Sequence, residues 1–151
     1  ELGDVASARA QAEAGALLAA RQQRRFPESY ALALGGRAAI DAGEPAAGLA
    51  RVRAGVALAV EIGNRYAELC ARTYEADALA ALGRYAEARA AWAAAAAIAD
   101  ETKNDELAPK LGAIDRKLQL AEDPLACVVL GTGRVLEDMH LLRKVSIRWS
   151  R

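Results

Sequence analysis

Hydrophobic positions in this chain recur at helical spacing and are cut at intervals by glycine. Leu49, Val52, Val56, Ala59 and Val60 form one stripe near helical period. Pro45 opens it in a first turn, where its missing N–H is not needed, and Gly63-Asn64 stops it. Leu69, Cys70, Thr73, Tyr74, Ala76, Ala78, Leu79 and Leu82 make a second stripe from Tyr66, broken at Gly83. The same reading predicts helices over 4–22, 27–42, 85–102 and 105–121. Asp105 is the expected N-cap of the last, with Pro109 confined to its first turn. Gly35-Gly36 lies inside the second helix and weakens it by roughly 1 kcal/mol per glycine. The pair reads as a close helix crossing, with a kink as the alternative. Nothing before residue 125 alternates with period two, so no sheet is expected there.

The stripes repeat. Gly3, Gly43 and Gly83 are 40 residues apart, and Leu18, Leu58 and Ile98 keep the same register. Phe26 falls over Tyr66, and Leu34 over Tyr74 and Ile114. A period in this range marks stacked units, each burying its apolar face against its neighbours. The expected fold is all-α: antiparallel helical hairpins over residues 1–122, with Gly43 and Gly83 in equivalent turns. Ala8, Gly48 and Ala88 should lie at helix crossings, and Tyr85 and Trp92 should be largely buried. Residues 123–151 leave the repeat and form a cap or the start of another domain. There, 125–130 is apolar, 135–142 is compatible with helix, and 144–149 alternates as a strand would. The burial requirement puts tail residues such as Leu130, Val135 or Leu142, or a second chain, over Leu111, Ile114 and Leu118. A chain that opens inside a repeat also reads as a segment of a longer protein.

The string Ala78-Leu79-Ala80-Ala81-Leu82-Gly83-Arg84-Tyr85-Ala86-Glu87-Ala88 closely resembles a tetratricopeptide (TPR) repeat. In that family L-G-R-Y-x-E-A marks the turn between helix A and helix B. Trp92 and Ala95 then fall where the family places an aromatic and a small residue. The resemblance covers residues 1 to about 122; it is strongest over 78–95 and weakest over 3–20. HEAT-type units have a similar period, but the Gly-Arg-Tyr-x-Glu-Ala string is not theirs. The TPR resemblance implies an α-solenoid of about three hairpins that binds a protein or peptide in a concave groove lined by helix A. Carried over from Gly83, the groove positions include Tyr30 and Arg37, Thr73 and Asp77, and Lys110 and Lys117. Such a groove suits a peptide with acidic and apolar groups. Asn is missing from these positions, so the family's carboxylate clamp is not expected. The long period resembles that of repeats in kinesin light chains and in bacterial transcription regulators of the MalT/LuxR and streptomycete kind, and the Ala/Arg-rich, lysine-poor texture is more similar to the bacterial group. This implies a cytoplasmic regulatory module.

Composition narrows the chemistry. The chain is 54% apolar but only 5% aromatic, and much of the rest is alanine. The core must therefore come from close helix approach rather than large anchors. Twenty basic groups balance twenty acidic ones, so no net field draws the chain to nucleic acid or anionic lipid. No run approaches the ~18 apolar residues of a membrane span. Cys70 and Cys127 form no CxxC and suit a reducing compartment. His140 is the one histidine, and Gly131-Thr132-Gly133-Arg134 lacks the lysine and length of a phosphate loop. No catalytic residue, metal or cofactor is expected. Arg21, Arg24 and Arg25 are the densest basic cluster and read as a solvated inter-helix loop. The function expected is protein interaction or regulatory sensing; the alternative is a structural scaffold that pairs with a second copy.

Overall fold

In a computed structural model the chain is described over residues 2–123, with side chains from residue 5 onward. The expectations for Leu125 to Trp149, including Cys127 and His140, lie outside the described residues. Residues Glu1–Leu118 form one compact unit; a second takes Gln119–Arg151, of which the last turn of the sixth helix is described.

The described residues hold six helices and no strand: α1 (Leu2–Arg21), α2 (Arg25–Asp41), α3 (Pro45–Glu61), α4 (Arg65–Ala81), α5 (Tyr85–Thr102) and α6 (Ala108–Glu122). Pro45 and Asn64 act as expected. Pro45 sits in the first turn of α3, and the Asn64 side chain caps α4 by accepting from the Ala67 N–H at 2.8 Å. The last helix starts later than expected, at Ala108. Asn104 rather than Asp105 supplies the turning side chain, accepting from the Glu106 N–H, and Pro109 stands in the first turn. Gly3 falls inside α1 rather than in a turn, so the turn register begins at Gly43.

The turns share one geometry. Gly43, Gly63 and Gly83 have φ of 83°, 65° and 72°, in the left-handed region that favours glycine. At each, two reverse hydrogen bonds close the helix: Gly43 N–H donates to the Ile40 carbonyl, and Glu44 N–H to the Ala39 carbonyl. Gln23 and Lys103 hold the same place at φ 53° and 52°. The left-handed turn residue thus recurs every 20 positions, half the sequence period, because α2, α3 and α4 are each 17 residues long with three-residue loops. Two of the five positions lack glycine. Gln23→Gly and Lys103→Gly should each raise stability by about 0.5–1 kcal/mol by relieving the left-handed strain, as read by urea unfolding.

Each helix from α1 to α5 packs on its chain neighbour, and α2 also packs directly on α4. The α2–α3 crossing is the tightest contact. A Cβ built at Gly36 would meet Val52 Cγ2 at 2.3 Å and the Gly48 carbonyl at 2.8 Å; one at Gly48 would meet the Gly36 carbonyl at 2.7 Å. The Gly35-Gly36 pair therefore serves a helix crossing. Farther along, Leu49, Leu79, Ala88, Ile114 and Leu118 share one core cluster, and Leu69, Ala95, Ile98 and Leu111 another. Trp92 touches both clusters.

Three packing expectations need correction. Ala88 and Gly48 are buried, but Ala8 is exposed, because α1 has α2 on one side only among the described residues. Tyr85 is 43% exposed; as the first residue of α5 its ring lies at the solvent end of the turn. Trp92 is half-buried rather than fully enclosed.

Candidate functional site

The face shared by α2, α4 and α6 gathers five of the six residues singled out from sequence. On α2, Phe26 stacks with Tyr30 at a centroid distance of 6.3 Å, and Tyr30 with Tyr66 of α4 at 6.0 Å. Three aromatic rings thus run across two helices. The Tyr66 hydroxyl reaches the Glu106 carboxylate at 3.1 Å. Two turns on, the Arg37 guanidinium lies 5.5 Å from the Tyr74 ring centroid while its Nε donates to Asp41 at 2.7 Å. These contacts arise because Tyr30 and Arg37 share one side of α2, and Tyr66 and Tyr74 the facing side of α4.

Asp77 is the electrostatic centre. Its side chain is nearly buried and accepts from the Lys110 and Lys117 ammonium groups, the latter at 3.2 Å. Burial would raise its pKa, but the hydrogen bonds and charges of Lys110 and then Lys117 outweigh that and hold it below the ordinary carboxylate range. Asp77 is therefore a structural anchor for two cations. Lys117, although paired with Asp77, keeps 61% of its side chain exposed and is the more open of the two lysines. Because the folded pKa is depressed, this carboxylate stabilises the fold above the ordinary aspartate range. That stability is lost as pH falls below about 4. Asp77→Asn should cost about 1–2 kcal/mol at neutral pH and flatten the acid side of the melting temperature profile, measured from pH 7 to 2.

Thr73 is the exception among the expected contacts. It is fully buried, and its hydroxyl donates to the Leu69 carbonyl at 2.8 Å, bonding back within its own helix. Its equivalence to the groove positions of its neighbours does not survive, because α4 is covered on more sides than α2. Tyr66 and Tyr74 were missed as part of this face; their lateral stacking needed α2 and α4 brought side by side. Cys70 lies between them, buried, and burial pushes its thiol up to about 11. Burial likewise lifts the Tyr74 hydroxyl to about 12. Both shifts favour the protonated form at neutral pH. Among the described residues no three His, Cys, Asp or Glu side chains converge as metal ligands, and no helix is long and apolar enough to cross a membrane.

Comparison with family models, with curated proteins and with solved structures gave no match.

Proposed function

We propose that this chain is a protein-interaction module of the TPR-like kind whose α2–α4–α6 face binds a peptide or partner domain carrying apolar and acidic groups. The observation that carries the reading is the row of Tyr30, Tyr66, Arg37 and Lys117 on one face, with the lysine held by an already neutralised Asp77. Aromatic rings supply contact area at low entropic cost, and the cations set the sign of the ligand. A role inside a bacterial cytoplasmic regulator, with any DNA-binding or catalytic step carried by other domains, accords with the resemblance to long-period repeats. The pairing of Arg37 with Tyr74 and Asp41 leaves Lys117 the main long-range attraction, so binding should weaken with salt.

The test is titration of the chain with 15-residue peptides in which Asp or Glu flanks Leu and Phe, read by fluorescence anisotropy. Affinity should fall about tenfold for Lys117→Glu and for Tyr30→Ala. Binding that ignores both substitutions, or no binding up to millimolar peptide, would sink the proposal. The second reading, a homo-oligomeric scaffold, draws on Leu17 and Leu18 of α1, which are 63% and 57% exposed. Light scattering decides it, since a scaffold must be a dimer or larger at micromolar concentration.

A further inference from the structure

A groove of about 610 Å3 runs between α1 and α2, with Val5, Ala8, Phe26, Tyr30, Leu34 and Arg37 among its walls; Tyr30 and Arg37 also reach α4, so the groove adjoins the α2–α4 face. The molecule contains its own template for what fills such a groove. One 40-residue period later, α2 itself lies against α3 and α4. There Tyr30 stacks on Tyr66, Arg37 covers Tyr74, and Gly36 meets Gly48. In the groove, Phe26 stands in the place of Tyr66, Leu34 in that of Tyr74, and Ala8 in that of Gly48.

Charge says what kind of helix fits. Glu61 ends α3 and pairs with Arg25, the first residue of α2, at 2.5 Å. Glu101, at the close of α5, pairs with Arg65, the first residue of α4. The equivalent residue at the end of α1 is Arg21. It has the opposite sign, is exposed, and meets no carboxylate among the described residues.

We propose that the α1–α2 groove docks a single amphipathic helix from a partner protein, seated there as α2 is seated on α3 and α4. Its first turn carries an acidic residue against Arg21. Five residues on, an aromatic ring covers Phe26, as Tyr30 covers Tyr66. Six residues beyond that, a glycine or alanine passes Ala8. The reversed charge selects against a second copy of this chain, whose α2 and α4 both begin with arginine. An acid in the first turn also complements the positive end of the incoming helix. Each exposed ion pair is individually weak, so apolar burial holds the helix and Arg21 sets its register.

The probe is a fluorescein-labelled, stapled peptide with the sequence of residues 25–41 bearing Arg25→Glu, titrated into the full chain. Saturable binding is expected, lowered about tenfold by Arg21→Glu in the protein and restored with the peptide that keeps Arg25. Leu34→Asp should abolish binding. Lys117→Glu, outside the groove, should leave it unchanged, which separates this site from the peptide-binding face although the two share Tyr30 and Arg37. Circular dichroism and melting temperature of each variant confirm that it is folded. Absence of binding overturns the proposal. So does binding indifferent to Arg21→Glu and Leu34→Asp, the result if the peptide merely displaces α2. A dimer dispersed by Leu34→Asp makes a second copy the occupant and overturns it equally.

Discussion

Gly36→Ala should destabilise the protein by about 2–3 kcal/mol, although alanine is the better helix former by about 1 kcal/mol. The added methyl would stand 2.3 Å from Val52 Cγ2 and 2.8 Å from the Gly48 carbonyl. The valine cannot turn aside cheaply, because a β-branched side chain in a helix is held near one rotamer. The carbonyl is backbone and moves only if α2 and α3 separate. Separation would loosen Val52, Ala33 and the contacts of α2 with α4. Gly48→Ala should behave alike, with its methyl 2.7 Å from both the Gly36 carbonyl and Ile40 Cγ1. Gly15→Ala is the control. Its nearest neighbour would be 3.9 Å away, and it should stabilise α1 by the intrinsic helix preference alone. Urea unfolding of the three variants decides the matter; Gly36→Ala as stable as Gly15→Ala would contradict the crossing.

Trp92→Ala should cost about 3 kcal/mol, at the lower end for large aromatic truncations because the ring is half-buried. Its weight comes from position. Trp92 packs against the cluster of Leu79, Ile114 and Leu118 and against that of Leu69, Ile98 and Leu111. It therefore ties α5 to both α4 and α6. Its Nε1 donates to the Leu111 carbonyl at 3.0 Å, and Arg89 lies 5.3 Å from its centroid. Trp92→Phe keeps most of the apolar contact and loses that hydrogen bond, so it should cost about 1 kcal/mol. A denaturant titration giving under about 1 kcal/mol for Trp92→Ala would show that α6 docks without the indole.

The helices and their breaks were legible because both are local. Pro45, Asn64 and the left-handed glycines act within their own turns, so a 3.6-residue stripe with such punctuation already places α3, α4 and α5. The 20-residue turn period was half hidden, since Gln23 and Lys103 adopt the glycine conformation without being glycine. Position on a repeat likewise predicted which face Tyr30, Arg37, Asp77, Lys110 and Lys117 would share. It could not predict how that face is wired. The same register put Thr73 in the groove, where the structure buries it, and treated Ala8 as equivalent to Gly48.

Those failures have one cause. Register says which residues are equivalent, whereas exposure depends on how many neighbours each helix has, and α1 has fewer than α3. The stacking of Tyr30 on Tyr66, the seat of Arg37 over Tyr74 and the two-lysine hold on Asp77 join residues 33 to 40 positions apart. Periodicity says which pairs are equivalent to one another, not which residues touch. The tyrosine stack and the Arg37 seat draw on the small residues at the α2–α3 crossing, which let those helices approach closely; the hold on Asp77 requires α6 to lie beside α4.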